Sequence, residues 1–228
     1  MLDNINEYFG LVKNKLSEVY EKIFQNFIKS LFGKPSSILF LGIDNAGKTT
    51  LVNKLKSNST SAYMPTKHPN TYQVEIGNLK AQVVDLGGHS AVRIVWREYF
   101  YNCDGIVFIV DVHDNKRFNE VREAYKTVRE MEKNAPIVVL MNKVDLVKHT
   151  PESAEQDYEW NSALREATGI ENQEDPDAGQ AVKIFYVKML KDDGDSNSIT
   201  GPLARAFKWL ETMITYSGKK QSSLNKTL

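Results

Sequence analysis

The sequence has little of what would assign it to several classes. A single cysteine, Cys103, stands among 228 residues. Neither an internal disulfide nor a cysteine zinc cage can be built from it, and a reducing cytosol is the default setting. The ordinary role of such a residue is a small buried hydrophobe. Neither sign of charge is in excess, with 29 Lys and Arg against 29 Asp and Glu. A nucleic-acid binder normally carries a basic surplus, so nucleic acid is not an expected partner. No apolar run reaches the roughly 18 residues that cross a bilayer. The first residues do not read as a signal peptide, because Asp3 and Glu7 come early and no small-residue cleavage site follows. Leu2 stands where N-myristoylation needs glycine, and the closing "NKTL" offers no cysteine for prenylation. Any membrane attachment is therefore expected from the polypeptide itself.

What is present divides the chain in three. In residues 1–34, Ile5, Phe9, Val12, Leu16, Val19 and Ile23 step by four and three, and Phe27 and Leu31 extend the stripe. Tyr8, Tyr20, Phe24 and Phe32 widen it, while Lys13, Lys15, Glu18, Glu21, Lys22 and Lys29 take the other face. This period predicts an amphipathic helix, which "GKPSS" at 33–37 ends. Insertion into a membrane surface is one use of such a face, favoured by Phe24, Phe27 and Phe32. Permanent packing on the domain, or a coiled-coil seam, suits the same stepping.

Residues 35–216 alternate short apolar runs with helical stretches. "ILFLG", "AQVVDL", "GIVFIVD", "PIVVLMN" and "VKIFYV" mostly lack polar alternation, as strands covered on both faces do. Helices are expected near 48–56, 118–133, 152–167 and 202–216. A hairpin joins "TYQVEI" to "LKAQVVDL" through Gly77-Asn78. The sum is a three-layer α/β domain around a six-stranded, mostly parallel sheet with one antiparallel edge strand. Residues 171–179, 192–201 and 217–228 read as solvated loops and a disordered tail.

"GIDNAGKT" at 42–49 fits G-x-x-x-x-G-K-[ST] between a strand and a helix. The glycines let the loop curl so that backbone N–H groups point at a β-phosphate, and the helix after Gly47 aims its positive end there. Asp44, Asn45, Ala46, Gly47, Lys48, Thr49 and Thr50 form the expected phosphate cradle. Lys48 supplies charge to the β- and γ-phosphates, and the Thr49 hydroxyl ligates Mg²⁺. Asp85 of "DLGG" ends a strand, where a carboxylate suits Mg²⁺ coordination, and Gly88 can turn its N–H to a γ-phosphate. Thr66, after Pro65, is the second candidate hydroxyl for the metal, and Asp44 a candidate for its outer shell.

"NKVD" follows the run 137–141. The Asp145 carboxylate can accept from guanine N1–H and its exocyclic amine, which adenine cannot offer. The Lys143 stem can lie over the base, and Asn142 can bridge N7 to the phosphate loop. P-loop, D-x-G-G and N-K-x-D in this order point to a GTPase.

Through "FLGIDNAGKTTLVNKL", "MPTKHPN", "VVDLGGH", "VRIVWREYF", "DGIVFIVDVHD" and "MNKVD", the chain resembles the Arf/Sar family of Ras-like small GTPases, and its Sar-type branch in particular. His89 stands where most Ras-like GTPases have glutamine, and Leu2 replaces the glycine that Arf proteins myristoylate. The resemblance implies a P-loop GTPase fold, GTP/GDP and Mg²⁺ as cofactors, and His89 as the residue that positions the attacking water. It also implies base contacts from the segment "KMLK", where Lys188 replaces the family's serine and Met189 and Leu190 supply main-chain groups. A switch follows, GDP-bound in the cytoplasm and GTP-bound on the cytosolic leaflet of the endoplasmic reticulum membrane, at exit sites feeding the Golgi. Its implied partners are the inner COPII coat complex, as effector and GTPase activator, and a membrane-bound exchange factor. No arginine precedes Thr66 in its loop, so slow intrinsic turnover and an arginine supplied in trans are expected. The N-terminal segment, the loop 192–201 and the tail are longer than the resemblance leads one to expect. An Arf-like effector module at another membrane is the alternative.

Overall fold

The computed structural model describes residues 12, 15, 19, 22–24, 26–28, 30–56, 64–65, 71–76, 79–84, 99–101, 103–189 and 201–224. The sheet is laid down by strands β1 (Ser36–Leu41), β2 (Met64–Pro65), β3 (Thr71–Ile76), β4 (Leu79–Val84), β5 (Gly105–Asp111), β6 (Ile137–Asn142) and β7 (Val182–Val187). Helices whose bounds lie in the described residues accompany it: α1 (Lys48–Lys56), α2 (Phe118–Met131), α3 (Pro151–Gln156), α4 (Tyr158–Thr168) and α5 (Pro202–Leu224). Strand order is β2-β3-β4-β1-β5-β6-β7. β1 runs parallel to both β4 and β5, and β6 is parallel to β5 and β7. β3 is antiparallel to its neighbours β2 and β4. The sheet thus has seven strands where six were expected. The addition is the two-residue β2, whose Pro65 lacks an N–H and is tolerated because the strand lies at the edge.

Every residue of β5 and β6 is buried, which is why their sequences read as unbroken apolar runs. Alternation along the strands then sorts side chains into two cores. Ile38, Phe40, Val107, Ile109, Val138, Leu140, Phe185 and Val187 face Leu51 and Leu55 of α1 and Leu203, Phe207 and Leu210 of α5. Leu39, Leu41, Ile106, Phe108, Val110, Val139 and Met141 face Val121, Tyr125 and Val128 of α2 and Leu164 of α4. Three layers result, as expected.

The helix expected over 152–167 is split. Thr150 caps α3 in a capping box with Ser153, and Asp157 then takes an extended backbone and accepts from Trp160 N–H at 3.0 Å, starting α4 afresh. At the other end, α5 continues to Leu224, correcting the expectation that the ordered helix stops near 216. Lys219, Lys220 and Gln221 are good helix formers, and Gly218 alone does not break a helix already anchored through Phe207 and Leu210.

Of the N-terminal residues, Phe24, Ile28 and Phe32 are 1%, 0% and 2% exposed and belong to the core beside Phe40 and Phe207. Burial of each such side chain contributes roughly 1.5–3 kcal/mol.

Candidate functional site

At the C-terminal ends of the parallel strands, four connections converge: the loop after β1, the turns after β5 and β6, and the segment after β7. Their register aligns Asp111 with Asn142, and Asn142 with Val187. Ligands of open α/β sheets bind beyond this edge.

The loop after β1 has a backbone that accommodates an anion. Gly42 and Gly47 have φ of 148° and 112°, and Asn45 sits in the left-handed region at 61°. A Cβ on Gly42 would lie 2.4 Å from the Ile109 carbonyl oxygen, and one on Gly47 2.5 Å from Asn142 Nδ2. These positions need glycine for both conformation and space. Lys48 opens α1, is buried, and donates through Nζ to the carbonyls of Gly42 and Ile43 at 2.9 and 2.7 Å. Its ammonium therefore closes the loop over the place where phosphate oxygens would sit. Thr49 is exposed on the first turn of α1, and Thr50 is half-buried. This cradle fits a nucleoside diphosphate or triphosphate. Mg²⁺, when bound, would supply positive charge to the phosphates, and Thr49, through its hydroxyl, is the described residue that would hold it. Among the described residues there is no cluster of three His, Cys, Asp or Glu side chains.

Asn142 ties this cradle to the base side. Its Nδ2 donates to the Ala46 carbonyl at 2.9 Å, its Oδ1 accepts from Met189 N–H at 3.2 Å, and its own carbonyl accepts from Val112 N–H. The side chain is 2% exposed. One amide thus spans three of the four connections. Lys143 follows with φ 67°, and its carbonyl accepts from Leu146 N–H in the turn Val144–Val147. Asp145 lies in that turn, half-buried. Met189 is buried and Lys188 half-buried beside them. Asn142, Lys143, Asp145, Lys188 and Met189 are therefore brought to one end of the sheet with the loop after β1.

Two residues were not singled out from the sequence. Asp111, ending β5, pairs with Lys143 Nζ at 2.6 Å, with both side chains largely buried. Its other oxygen accepts from His113 N–H at 3.0 Å. The carboxylate fixes the lysine whose stem would lie over the base. The only sequence signal was a charged residue closing an apolar strand. Arg117 is the second. Its guanidinium pairs with the Asp44 carboxylate, lies 3.5 Å from the Asp44 carbonyl, and is oriented by Glu120 at 2.7 Å. Arg117 holds the Asp44 carboxyl below the usual carboxylate range. Asp44 is thus turned to an arginine on the outer side of the loop.

Thr66, Asp85, Gly88, His89 and Leu190 lie outside the described residues. Cys103 is partly buried against the second core, and burial pushes its thiol up to about 12. It lines a cavity of about 740 Å³ with Ser36, Asp104 and Pro136. That cavity lies at the N-terminal ends of β1, β5 and β6, opposite the phosphate loop, and plays no part in the site above.

The model of the ADP-ribosylation factor family matches residues 21–197. Over 222 residues the chain is 73% identical to the Small COPII coat GTPase SAR1 of Encephalitozoon cuniculi (strain GB-M1), covering 97% of this chain and all of that protein. It is 41% identical over 121 residues to the Small COPII coat GTPase SAR1 of Giardia intestinalis, covering 51% of this chain and 62% of that protein. A crystal structure of the Encephalitozoon cuniculi protein in complex with GDP matches with a TM-score of 0.91 at 73% identity, over 97% of this chain and 99% of that one.

Proposed function

The chain belongs to the ADP-ribosylation factor family and is a GTP hydrolase that binds GTP and GDP with Mg²⁺, and from that premise we propose that it serves as the small GTPase of the COPII coat. In this reading it is cytosolic with GDP, attaches with GTP to the cytosolic leaflet of the endoplasmic reticulum, and recruits the inner coat complex. A membrane-bound exchange factor loads it. The observation that carries the reading is identity of 73% along nearly the whole chain with a COPII coat GTPase. The geometry supports it, because Asn142 joins a phosphate cradle to a base loop built around N-K-x-D.

For hydrolysis we assign the remaining roles from their order in the sequence. Thr66 and Asp85 complete the Mg²⁺ shell, Gly88 donates its N–H to the γ-phosphate, and Leu190 adds a main-chain contact to the base. His89 orients the attacking water. The loop before Thr66 has no arginine, so the transition-state charge is met by an arginine from the inner coat. His89→Gly then keeps GTP binding and loses coat-stimulated hydrolysis. Flotation with liposomes, comparing GDP with a non-hydrolysable GTP analogue and adding inner coat complex, tests the whole cycle. Coat recruitment that ignores the nucleotide, or normal stimulated turnover in His89→Gly, refutes the corresponding part.

A further inference from the structure

The loop after β1 is held from two sides. On its inner side Asn142 Nδ2 donates to the Ala46 carbonyl, and Lys48 Nζ closes on the carbonyls of Gly42 and Ile43. Against its exposed tip lies Arg117, in the 3₁₀ turn Asn115–Arg117 that leads into α2. The guanidinium grips one residue twice: Nη2 pairs with the Asp44 carboxylate, and Nη1 lies 3.5 Å from the Asp44 carbonyl oxygen. Its Nε donates to Glu120 Oε2 at 2.7 Å, which turns the planar fork towards the loop. The Arg117 side chain is 28% exposed, so the grip is partly shielded from solvent.

The consequence falls on the peptide between Asp44 and Asn45. That bond is trans, and a trans peptide points its carbonyl and its N–H to opposite sides. A carbonyl drawn outward to Arg117 therefore turns the Asn45 N–H to the inner side of the loop. Asn45 is in the left-handed region at φ 61°, a conformation in which successive backbone N–H groups converge on an anion. We infer that Arg117 is a positioning residue for the phosphate grip. By holding the carboxylate and the carbonyl of Asp44, it keeps the Asn45 N–H aimed at the β-phosphate and slows the release of GDP. The inference rests on the nucleotide site alone and is independent of the coat reading.

The test loads the full chain with a fluorescent GDP analogue, follows its release in stopped flow, and measures the affinities of GDP and GMP by competition. Arg117→Ala is expected to release the analogue about fivefold faster, or about 1 kcal/mol at 1.4 kcal/mol per tenfold, the upper range for a partly exposed ion pair. GMP has no β-phosphate, so its affinity should change by less than about twofold. Arg117→Lys keeps the charge without the planar fork and should release nearly as fast as Arg117→Ala. In an Asp44→Ala background, removing Arg117 should accelerate release less than it does in wild type, because part of the grip has already gone. Release from Arg117→Ala within about twofold of wild type overturns the inference. So does a GMP affinity weakened as much as that of GDP, since Arg117 would then support the site as a whole. A wild-type rate in Arg117→Lys would mean that positive charge near the phosphates suffices, and the inference falls. Equal acceleration in both backgrounds would show that Arg117 does not act through the Asp44 side chain, and it falls again.

Discussion

Replacing Asn142 with alanine removes a side chain that couples the phosphate loop to the segment after β7. The substitution deletes the donor to Ala46 and the acceptor for Met189 N–H, bonds of 2.9 and 3.2 Å between buried groups. A buried polar group left without a partner costs about 1–3 kcal/mol, so two cost about 2–6 kcal/mol. For a chain of this length each kcal/mol moves the midpoint by roughly 2–4 °C. Taking about 4 kcal/mol as the centre, Asn142→Ala should melt about 8–16 °C below wild type with saturating GDP. Release of a fluorescent GDP analogue should accelerate as well, since both the cradle and the base segment lose a support, with every 1.4 kcal/mol of lost affinity worth about tenfold. A melting temperature within about 2 °C of wild type, together with unchanged release, would mean that water or neighbouring groups replace the amide and that it does not couple the loops.

Asp111→Asn leaves Lys143 buried without its carboxylate, a loss of about 3 kcal/mol, and should speed GDP release in stopped-flow assays with the sheet intact by circular dichroism. Arg117→Ala should free Asp44 and raise its carboxyl pKa towards 3.8 in a carbon-13 NMR titration. The depressed folded value means that the pairing stabilises above the ordinary carboxylate range and fades as pH falls through the lower one. Because Asp44 is more than half exposed, the effect on melting stays below about 1 kcal/mol. Cys103, with its thiol pushed to about 12, should react with iodoacetamide at pH 8 about a thousandfold more slowly than a free thiol while folded, and at the ordinary rate in denaturant.

Central strands and the phosphate loop were legible because one constraint dominated each. A strand covered on both faces has no use for polar residues, so β5 and β6 read as plain apolar runs. Gly42 and Gly47 are fixed by their positive φ and by the close approach of the Ile109 carbonyl and the Asn142 side-chain amide. The N-terminal helix was harder, because Val12, Val19 and Ile23 and the set Phe24, Ile28 and Phe32 are both apolar. Periodicity finds such faces without telling which one the domain takes. Arg117 could not be read as a P-loop residue, since its partner Asp44 lies 73 positions earlier. Asp157, which divides α3 from α4, acts through its backbone angle and a single cap bond. A hydrophobic period passes over such a break.

The two glycines of the phosphate loop also limit where this GTPase can be altered. Since a methyl at Gly42 or Gly47 collides with the Ile109 carbonyl or the Asn142 amide, the curl of the loop cannot be retuned by substitution at either glycine. Asp44 and Asn45, the exposed tip between them, remain open to change. Redesign of nucleotide choice therefore belongs on the far side of Asn142, around Asp145, the side chain proposed to read the base. Drift at position 44 would alter what the loop holds on to outside itself, the Arg117 guanidinium.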